Sequence, residues 1–116
     1  SLLNLMIVKY RIKSYQEFQE VIKKGEVVKN KIFTSYALKN DLNYTRIGIS
    51  VPKKSGNAVI RNKIKRQIRA CVAKLTTYNK SLDLVLIIRR DYSVSDFEFT
   101  LTQLTDIFKK VGIISE

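Results

Sequence analysis

The sequence predicts an α+β fold in one domain spanning residues 1–116. Strict alternation of apolar and polar residues at 46–51 predicts a strand with one buried face, and the unbroken apolar run at 84–88 predicts a strand buried on both faces. Around these strands, segments with capping residues and a helical apolar period predict helices. A chain of 116 residues, 45% of them hydrophobic, is large enough to build one core without disulfides or a structural metal.

A first helix is predicted over residues 14–24. Ser14 can cap the amide of residue 17, and Glu17 can reach back to the cap, which is the capping-box pattern. Gly25 then supplies a residue that can take the left-handed conformation in which many helices end. The narrow apolar stripe of this helix consists of Phe18, Val21 and Ile22.

Two strands follow, and we expect them to pair with each other. The first covers residues 32–38 and the second residues 46–51, with a turn at 40–43 between them. The two faces predicted for the first strand are Ile32, Thr34, Tyr36 and Leu38, and Phe33, Ser35 and Ala37. The residues predicted to face the core from the second strand are Ile47, Ile49 and Val51, opposite a nearly bare surface of Gly48 and Ser50.

The last third of the chain predicts a central strand and a final helix. The run at 84–88 should lie inside the sheet, because a strand that is apolar on both faces needs cover on both. A second capping box at 95–98 opens a helix that has Lys109 and Lys110 in its last turn and Gly112 after it. Its apolar positions are Phe97, Leu101, Leu104, Phe108 and Val111.

A basic helix in the middle of the chain carries the most specific signal. Its predicted apolar stripe consists of Ile60, Ile64, Ile68, Cys71 and Leu75. On another side Arg61, Lys65 and Arg69 stack at four-residue intervals, with Asn62 and Arg66 beside them. Like charges at this spacing repel by about 0.2–0.5 kcal/mol per pair, and a surface that serves only solubility would interleave carboxylates. The pattern therefore points to phosphate binding.

The loop at residues 52–57 extends this basic surface through Lys53 and Lys54. Its small and turn-forming residues let backbone amides approach a ligand closely. Asn57 is expected to cap the basic helix, so that the free amides and the positive dipole end of the helix add to the attraction for a phosphate.

The charge of the whole chain supports a polyanionic partner. Residues 42–82 hold 10 of the 22 Lys and Arg residues and none of the 10 Asp and Glu residues. A membrane surface is the less favoured polyanion, because the basic helix has no Phe or Trp on its apolar side and the chain has no apolar run of about 18 residues.

Catalysis by protein side chains is not expected. The chain has no histidine, which removes the commonest general base and the commonest metal ligand. No cluster of carboxylates accompanies the basic region, so we predict neither catalytic nor metal-binding residues. The lone Cys71 cannot form an internal disulfide, which favours a cytoplasmic location.

A longer motif surrounds the basic helix. Residues 56–69 follow the pattern G-N-A-V-x-R-N-x-x-K-R-x-x-R, and Gly-Ile-Ser-Val-Pro-Lys-Lys precedes it at 48–54. Together these segments closely resemble the bacterial ribonuclease P protein component, and the resemblance covers about the whole chain. Pro52 stands where this family usually has a small residue, and Ile22 stands where an aromatic residue is expected.

The resemblance implies a two-layer α/β sandwich with three helices and a four-stranded mixed sheet, in the order α-β-β-β-α-β-α. It places a further strand within residues 26–31, which the residue pattern alone does not predict. It also implies that the basic helix forms a left-handed βαβ crossover between parallel strands, against the strong right-handed preference of such connections.

The resemblance implies a non-catalytic subunit of an endoribonuclease that removes the 5′ leader of precursor tRNA. The catalytic RNA would perform the chemistry with Mg²⁺, and the protein would bind no cofactor tightly. The expected partners are this RNA and the leader, with no DNA and no membrane. The residues expected to bind the catalytic RNA are Lys53, Lys54, Asn57, Arg61, Asn62, Lys63, Lys65, Arg66 and Arg69. Those expected to line a leader-binding cleft are Phe18, Ile22 and Tyr36.

Other interpretations remain open from the sequence. A structural ribosomal-type RNA-binding protein would share the charge and size but should lack the spacing of Arg61, Asn62 and Lys63. A stand-alone nuclease is disfavoured by the absence of histidine and of clustered carboxylates. Single basic residues can simply be solvated, and Phe18 or Tyr36 can simply belong to the core.

Overall fold

The computed structural model describes residues 8–89 and 97–115. Within these ranges a four-stranded sheet is accompanied by three helices of ten or more residues. In chain order the elements are α1 (Tyr15–Lys24), β1 (Glu26–Lys29), β2 (Phe33–Lys39), β3 (Arg46–Ser50), α2 (Ala58–Leu75), β4 (Leu82–Ile88) and α3 (Phe97–Lys110). The α+β class, the mixed sheet and the further strand within 26–31 are confirmed.

The strands lie in the order β1-β2-β4-β3. The β1–β2 and β2–β4 pairs are antiparallel, and β3 and β4 are parallel. The predicted central position of β4 is confirmed, and the predicted pairing of β2 with β3 is wrong, because β4 lies between them. A strand that is apolar on both faces is stabilised most where other strands and helices surround it. The hand of the β3–α2–β4 crossover stays a prediction.

The sheet separates two apolar clusters. The larger one packs one face against α2 and α3, through residues such as Phe33, Ile68 and Phe108. The smaller one packs the opposite face against α1, around Val21 and Val85. Among the described residues, α1 is the helix that covers this second side of the sheet. No helix in the described ranges combines the length and the apolar character that crossing a membrane requires.

Helix α1 begins at the predicted cap but does not end as predicted. The Glu17 amide donates a hydrogen bond to the Ser14 hydroxyl oxygen at 3.0 Å. Gly25 has a φ of −78°, so the predicted left-handed ending is wrong. Glycine is needed for space instead, because a Cβ atom would lie 2.6 Å from the carbonyl oxygen of Val21 and 2.9 Å from that of Ala37.

Two predicted apolar positions lie elsewhere than expected. Ile60 is 43% exposed, because the first turn of α2 lies beyond the edge of the core, and its side chain packs against Gly56 in the preceding loop. Val72, which was not part of the predicted stripe, is buried. Ile32 belongs to the larger cluster and not to the face of Thr34, because it precedes β2 and strand alternation does not apply to it.

The predicted stripe of α3 is buried most deeply at two of its five positions. Leu104 and Phe108 are fully buried, and the remaining predicted positions lie at the margin of the larger cluster. Gly112 follows the helix with a φ of 83°, as expected for a residue that ends a helix. Ser95 and Asp96, the first half of the second capping box, lie outside the described residues.

Candidate nucleic-acid interface

The start of α2 is fixed by side chains of the basic motif. Asn57 caps the helix as predicted, and its Oδ1 accepts a hydrogen bond from the Ile60 amide at 3.0 Å. Pro52 precedes a single 3₁₀ turn at Lys53–Ser55, and Gly56 follows with a φ of 144°. Arg61 Nε donates to the Gly56 carbonyl at 3.2 Å. Arg61 therefore holds the loop in addition to contributing charge.

The predicted RNA-binding residues form one basic surface on this loop and helix. The exposed members are Lys53, Lys54, Asn57, Asn62, Lys63 and Arg66, and the half-buried members are Arg61, Lys65 and Arg69. The salt bridges found within the described residues all involve other cations. At 100° per residue, Lys63 lies roughly 160° around α2 from Lys65, so the surface wraps around more than one side of the helix.

A cavity of about 540 Å³ opens between α2 and the segment that precedes α1. This segment lies along the edge of β3, because the Ile12 amide donates to the Ile47 carbonyl at 3.1 Å and the Ile47 amide donates to the Tyr10 carbonyl at 2.8 Å. Among the described residues, five cations and no carboxylate line the cavity. These cations are Arg11, Lys13, Lys65, Arg66 and Arg69.

Arg11 and Arg69 make this cavity suited to an anion. The buried Nε of Arg11 has no hydrogen-bond partner among the described residues. Burial, together with the nearby Arg11 guanidinium, lowers the pKa of Arg69. A phosphate group would supply both an acceptor and an opposite charge. The sequence interpretation did not include Arg11 and Lys13 among the candidate site residues, although two cations within three residues of the Ser14 cap were a signal.

The three predicted cleft residues lie together on the α1 side of the sheet. Phe18, Ile22 and Tyr36 are half-buried and pack against the smaller apolar cluster. The ring of Phe18 covers Gly48, where a Cβ atom would lie 2.6 Å from the ring carbon Cζ. The surface predicted to be nearly bare at Gly48 is therefore covered, because the missing side chain makes room for an aromatic ring.

Beyond Phe18, the sheet face that α1 crosses stays partly open. Thr34, Ile87 and Ser50 are neighbours across β2, β4 and β3 and are half-buried. We call these three residues the open strip. Ser50 is followed within three residues by the basic loop, so the open strip leads from the cleft residues towards Lys53 and Lys54.

A partly buried ion-pair network joins α1 to the same sheet face. Arg46 donates from Nε and Nη2 to the two carboxylate oxygens of Asp83 at 2.9 and 2.6 Å, and from Nη1 to Glu17 Oε2 at 2.6 Å. The hydrogen bonds to Asp83 and Glu17 raise the pKa of Arg46, and the bond from Arg46 lowers the pKa of Glu17. The sequence interpretation placed Glu17 only in the capping box and assigned no role to Arg46 or Asp83, because the three residues lie far apart along the chain.

Protein-based catalysis finds no support in the described residues. Within 8–89 and 97–115, no three His, Cys, Asp or Glu side chains are grouped so that they could hold a metal ion. Cys71 is fully buried, and burial raises the pKa of its thiol. A buried thiol with a raised pKa is a poor nucleophile, so Cys71 serves the core.

Comparison with known proteins identifies the family. A family model described as Ribonuclease P matches residues 6–112. A Ribonuclease P protein component from Streptococcus agalactiae is 38% identical over 105 residues, covering 90% of this chain and 96% of that protein. One from Bacillus cereus is 41% identical over 107 residues, covering 90% of this chain and 93% of that protein.

Solved structures agree with the sequence comparisons. A Staphylococcus aureus RNase P protein, described as a mutant with defective mRNA degradation activity, has a TM-score of 0.85 at 35% identity and covers 97% of both chains. The RNase P protein from Thermotoga maritima has a TM-score of 0.76 at 29% identity, covering 86% of this chain and 96% of that chain. The chain therefore belongs to the ribonuclease P protein component family, as the protein subunit of a tRNA-processing endoribonuclease whose chemistry is carried out by its RNA.

Proposed function

We propose that the basic loop and α2 dock this subunit onto the catalytic RNA. The observation that carries the proposal is a continuous set of cations that have no carboxylate partner among the described residues. Such unneutralised charge favours phosphate binding through release of counterions. The residues assigned to this interface are Lys53, Lys54, Asn57, Arg61, Asn62, Lys63, Lys65, Arg66 and Arg69. Arg11 and Lys13 extend it across the cavity.

The leader of precursor tRNA is the second ligand in this proposal. Phe18 and Tyr36 are only half-buried, and the open strip beside them continues to the basic loop. Stacking of a base on an aromatic ring contributes about 1–3 kcal/mol, independently of the base. Ile22 offers apolar contact without stacking. Single-stranded RNA of any sequence would fit such a surface.

The proposed division of labour assigns Mg²⁺ to the RNA. Hydrolysis of a phosphodiester by metal ions needs clustered oxygen ligands, and RNA phosphates would supply them in the complex. The protein then contributes charge and shape rather than reacting groups. We place this work in the cytoplasm, because a bacterial tRNA precursor is made and processed there.

The protein freed of RNA is expected to show no cleavage of precursor tRNA, because it offers neither a histidine base nor a grouped set of metal ligands among the described residues. Adding the catalytic RNA should restore cleavage at the mature 5′ end. The measurement is a gel assay of labelled precursor with protein alone, RNA alone and both. Specific cleavage by rigorously RNA-free protein would contradict the division of labour.

Replacing Phe18 and Tyr36 with leucine is expected to weaken binding of precursor tRNA more than binding of mature tRNA. Leucine keeps most of the apolar area but has no flat ring for stacking. The measurement is the ratio of the two affinities for the reconstituted holoenzyme, together with the melting temperature of the free variant. A variant that melts several degrees lower and keeps the wild-type ratio would show that both residues only belong to the core.

A further inference from the structure

We propose that Arg46 and Glu17 position the leader site: their ion pair holds the first turn of α1 against the sheet and so fixes the ring of Phe18 over Gly48. Neither residue would touch RNA. The inference rests on the proposed binding of the leader beside Phe18, and it names what orients that side chain.

The two ends of the contact between Phe18 and Gly48 lie next to the ion pair. Glu17 directly precedes Phe18 in α1, and Arg46 lies two residues before Gly48 in β3. Residues two apart in a strand share a face, so Arg46 and Gly48 both lie on the face of the sheet that α1 crosses. The bond between Arg46 and Glu17 therefore links the strand that carries Gly48 to the helical turn that carries Phe18.

Arg46 is anchored firmly on the sheet side. It is the register partner of Asp83 on β4, and only 17% of its side chain and 8% of that of Asp83 are exposed. Asn40 adds a hydrogen bond from its Nδ2 to Asp83 Oδ1 at 2.7 Å. The planar guanidinium is thus held at two of its nitrogens, and the third is left to direct Glu17.

The other contacts of α1 with the sheet give less control over direction. Most of them, among the described residues, are apolar contacts around Val21 and Val85, and hydrophobic burial is not directional. A hydrogen bond between charged groups is short and depends on angle, so it selects one orientation of the helix among those that the apolar contacts permit. The Ser14 hydroxyl donates to Glu17 Oε1 at 3.1 Å and helps to orient the carboxylate.

The test compares Glu17→Ala with Glu20→Ala. Both variants lose one carboxylate from α1, but Glu20 pairs with Lys24 in an exposed salt bridge that does not reach the sheet. Because 43% of the Glu17 side chain is exposed and Arg46 keeps Asp83, the Glu17→Ala protein should fold with a melting temperature near that of the wild type. Glu17→Gln serves as the conservative variant, because its amide oxygen can still accept from Arg46.

Two measurements follow from the proposal. In the free protein, the nuclear Overhauser effects between the Phe18 ring protons and the Gly48 α-protons should weaken in Glu17→Ala, persist in Glu20→Ala and recover partly in Glu17→Gln. In the reconstituted holoenzyme, the ratio of precursor to mature tRNA affinity should fall several-fold in Glu17→Ala, fall less in Glu17→Gln and stay at the wild-type value in Glu20→Ala. The affinity for the catalytic RNA should be unchanged in all three variants.

The Phe18→Leu variant separates failure of this inference from failure of the proposed leader site. If Phe18→Leu lowers the affinity ratio and Glu17→Ala leaves it at the wild-type value, the positioning role is refuted and the leader site stands. If neither variant changes the ratio, the leader site is refuted and the positioning role with it. Unchanged Overhauser effects in Glu17→Ala would refute the positioning role without reference to any substrate.

Discussion

Replacing Lys65 and Arg66 together with alanine is expected to weaken binding of the catalytic RNA and to flatten its salt dependence. Both side chains line the basic cavity, and no salt bridge to either is found within the described residues. Each lost phosphate contact should reduce the slope of log affinity against log salt by roughly one unit. The measurement is a salt titration of RNA binding. Arg61 is left intact, because its Nε holds the Gly56 carbonyl and its loss would also disturb the loop.

A control with the same loss of charge is Lys31→Ala combined with Lys109→Ala. Both lysines are exposed. Lys109 lies in the last turn of α3, and the Lys31 amide donates to the side chain of Gln103 in the same helix. If nonspecific attraction to the net charge of +12 dominated, the two double variants would show equal losses. Equal slopes and affinities in the two proteins would contradict the assignment of the docking surface to α2.

Gly25→Ala is expected to lower the free energy of unfolding substantially. The new methyl group would lie 2.6 and 2.9 Å from two backbone oxygens, which cannot rotate away as a side chain could. Overpacking of this kind costs about 1–3 kcal/mol, and each kcal/mol lowers the melting temperature of a domain of this size by about 4 °C. The measurement is thermal or urea unfolding of the free protein.

Gly112→Ala provides the matched control for that substitution. Gly112 has a φ of 83°, but no atom lies within 4 Å of the position that a Cβ would take. Its replacement should therefore cost only the strain of a left-handed residue, about 1 kcal/mol. A Gly25→Ala protein as stable as the wild type would show that the last turn of α1 and strand β2 can both shift at little cost.

Local patterns along the sequence predicted those parts of the fold that depend on neighbouring residues. The Ser14 and Asn57 caps were predictable because each bonds an amide three residues away, and the position of β4 was predictable because its side chains are apolar on both faces. Strand β1 was expected only through the family resemblance. Its four residues, Glu26–Lys29, are largely exposed and carry no burial pattern.

Long-range arrangements were not predictable from single elements. Alternation in β3 indicates which face is buried but not which strand lies beside it, so β3 was paired with the wrong neighbour. The network of Arg46 joins residues 29 and 37 positions away, and nothing in the local sequence marks them as partners. Gly25 resembles an ordinary helix-ending residue. A sequence does not show whether a glycine is needed for a left-handed backbone conformation or because neighbouring atoms leave no room for a side chain.

The basic surface was predicted better than the cavity beside it. Stacked cations on one helix follow from a period of 3.6 residues, whereas Arg11 reaches the same place only because the segment before α1 lies along the edge of β3. The roles assigned to all of these side chains, including Phe18, Ile22 and Tyr36, stay predictions until the variants are measured.

Strand β3 would contribute to both ligand surfaces in the proposed complex. Ile47 and Ile49 line the cavity next to α2, whereas Gly48 and Ser50 lie on the face crossed by α1. The ring of Phe18 covers Gly48 and also lines that cavity, so the two surfaces meet at this ring. The catalytic RNA and the leader would therefore lie side by side around one five-residue strand. The distance between the two RNAs would then be set by a rigid element of the protein, which neither RNA can change.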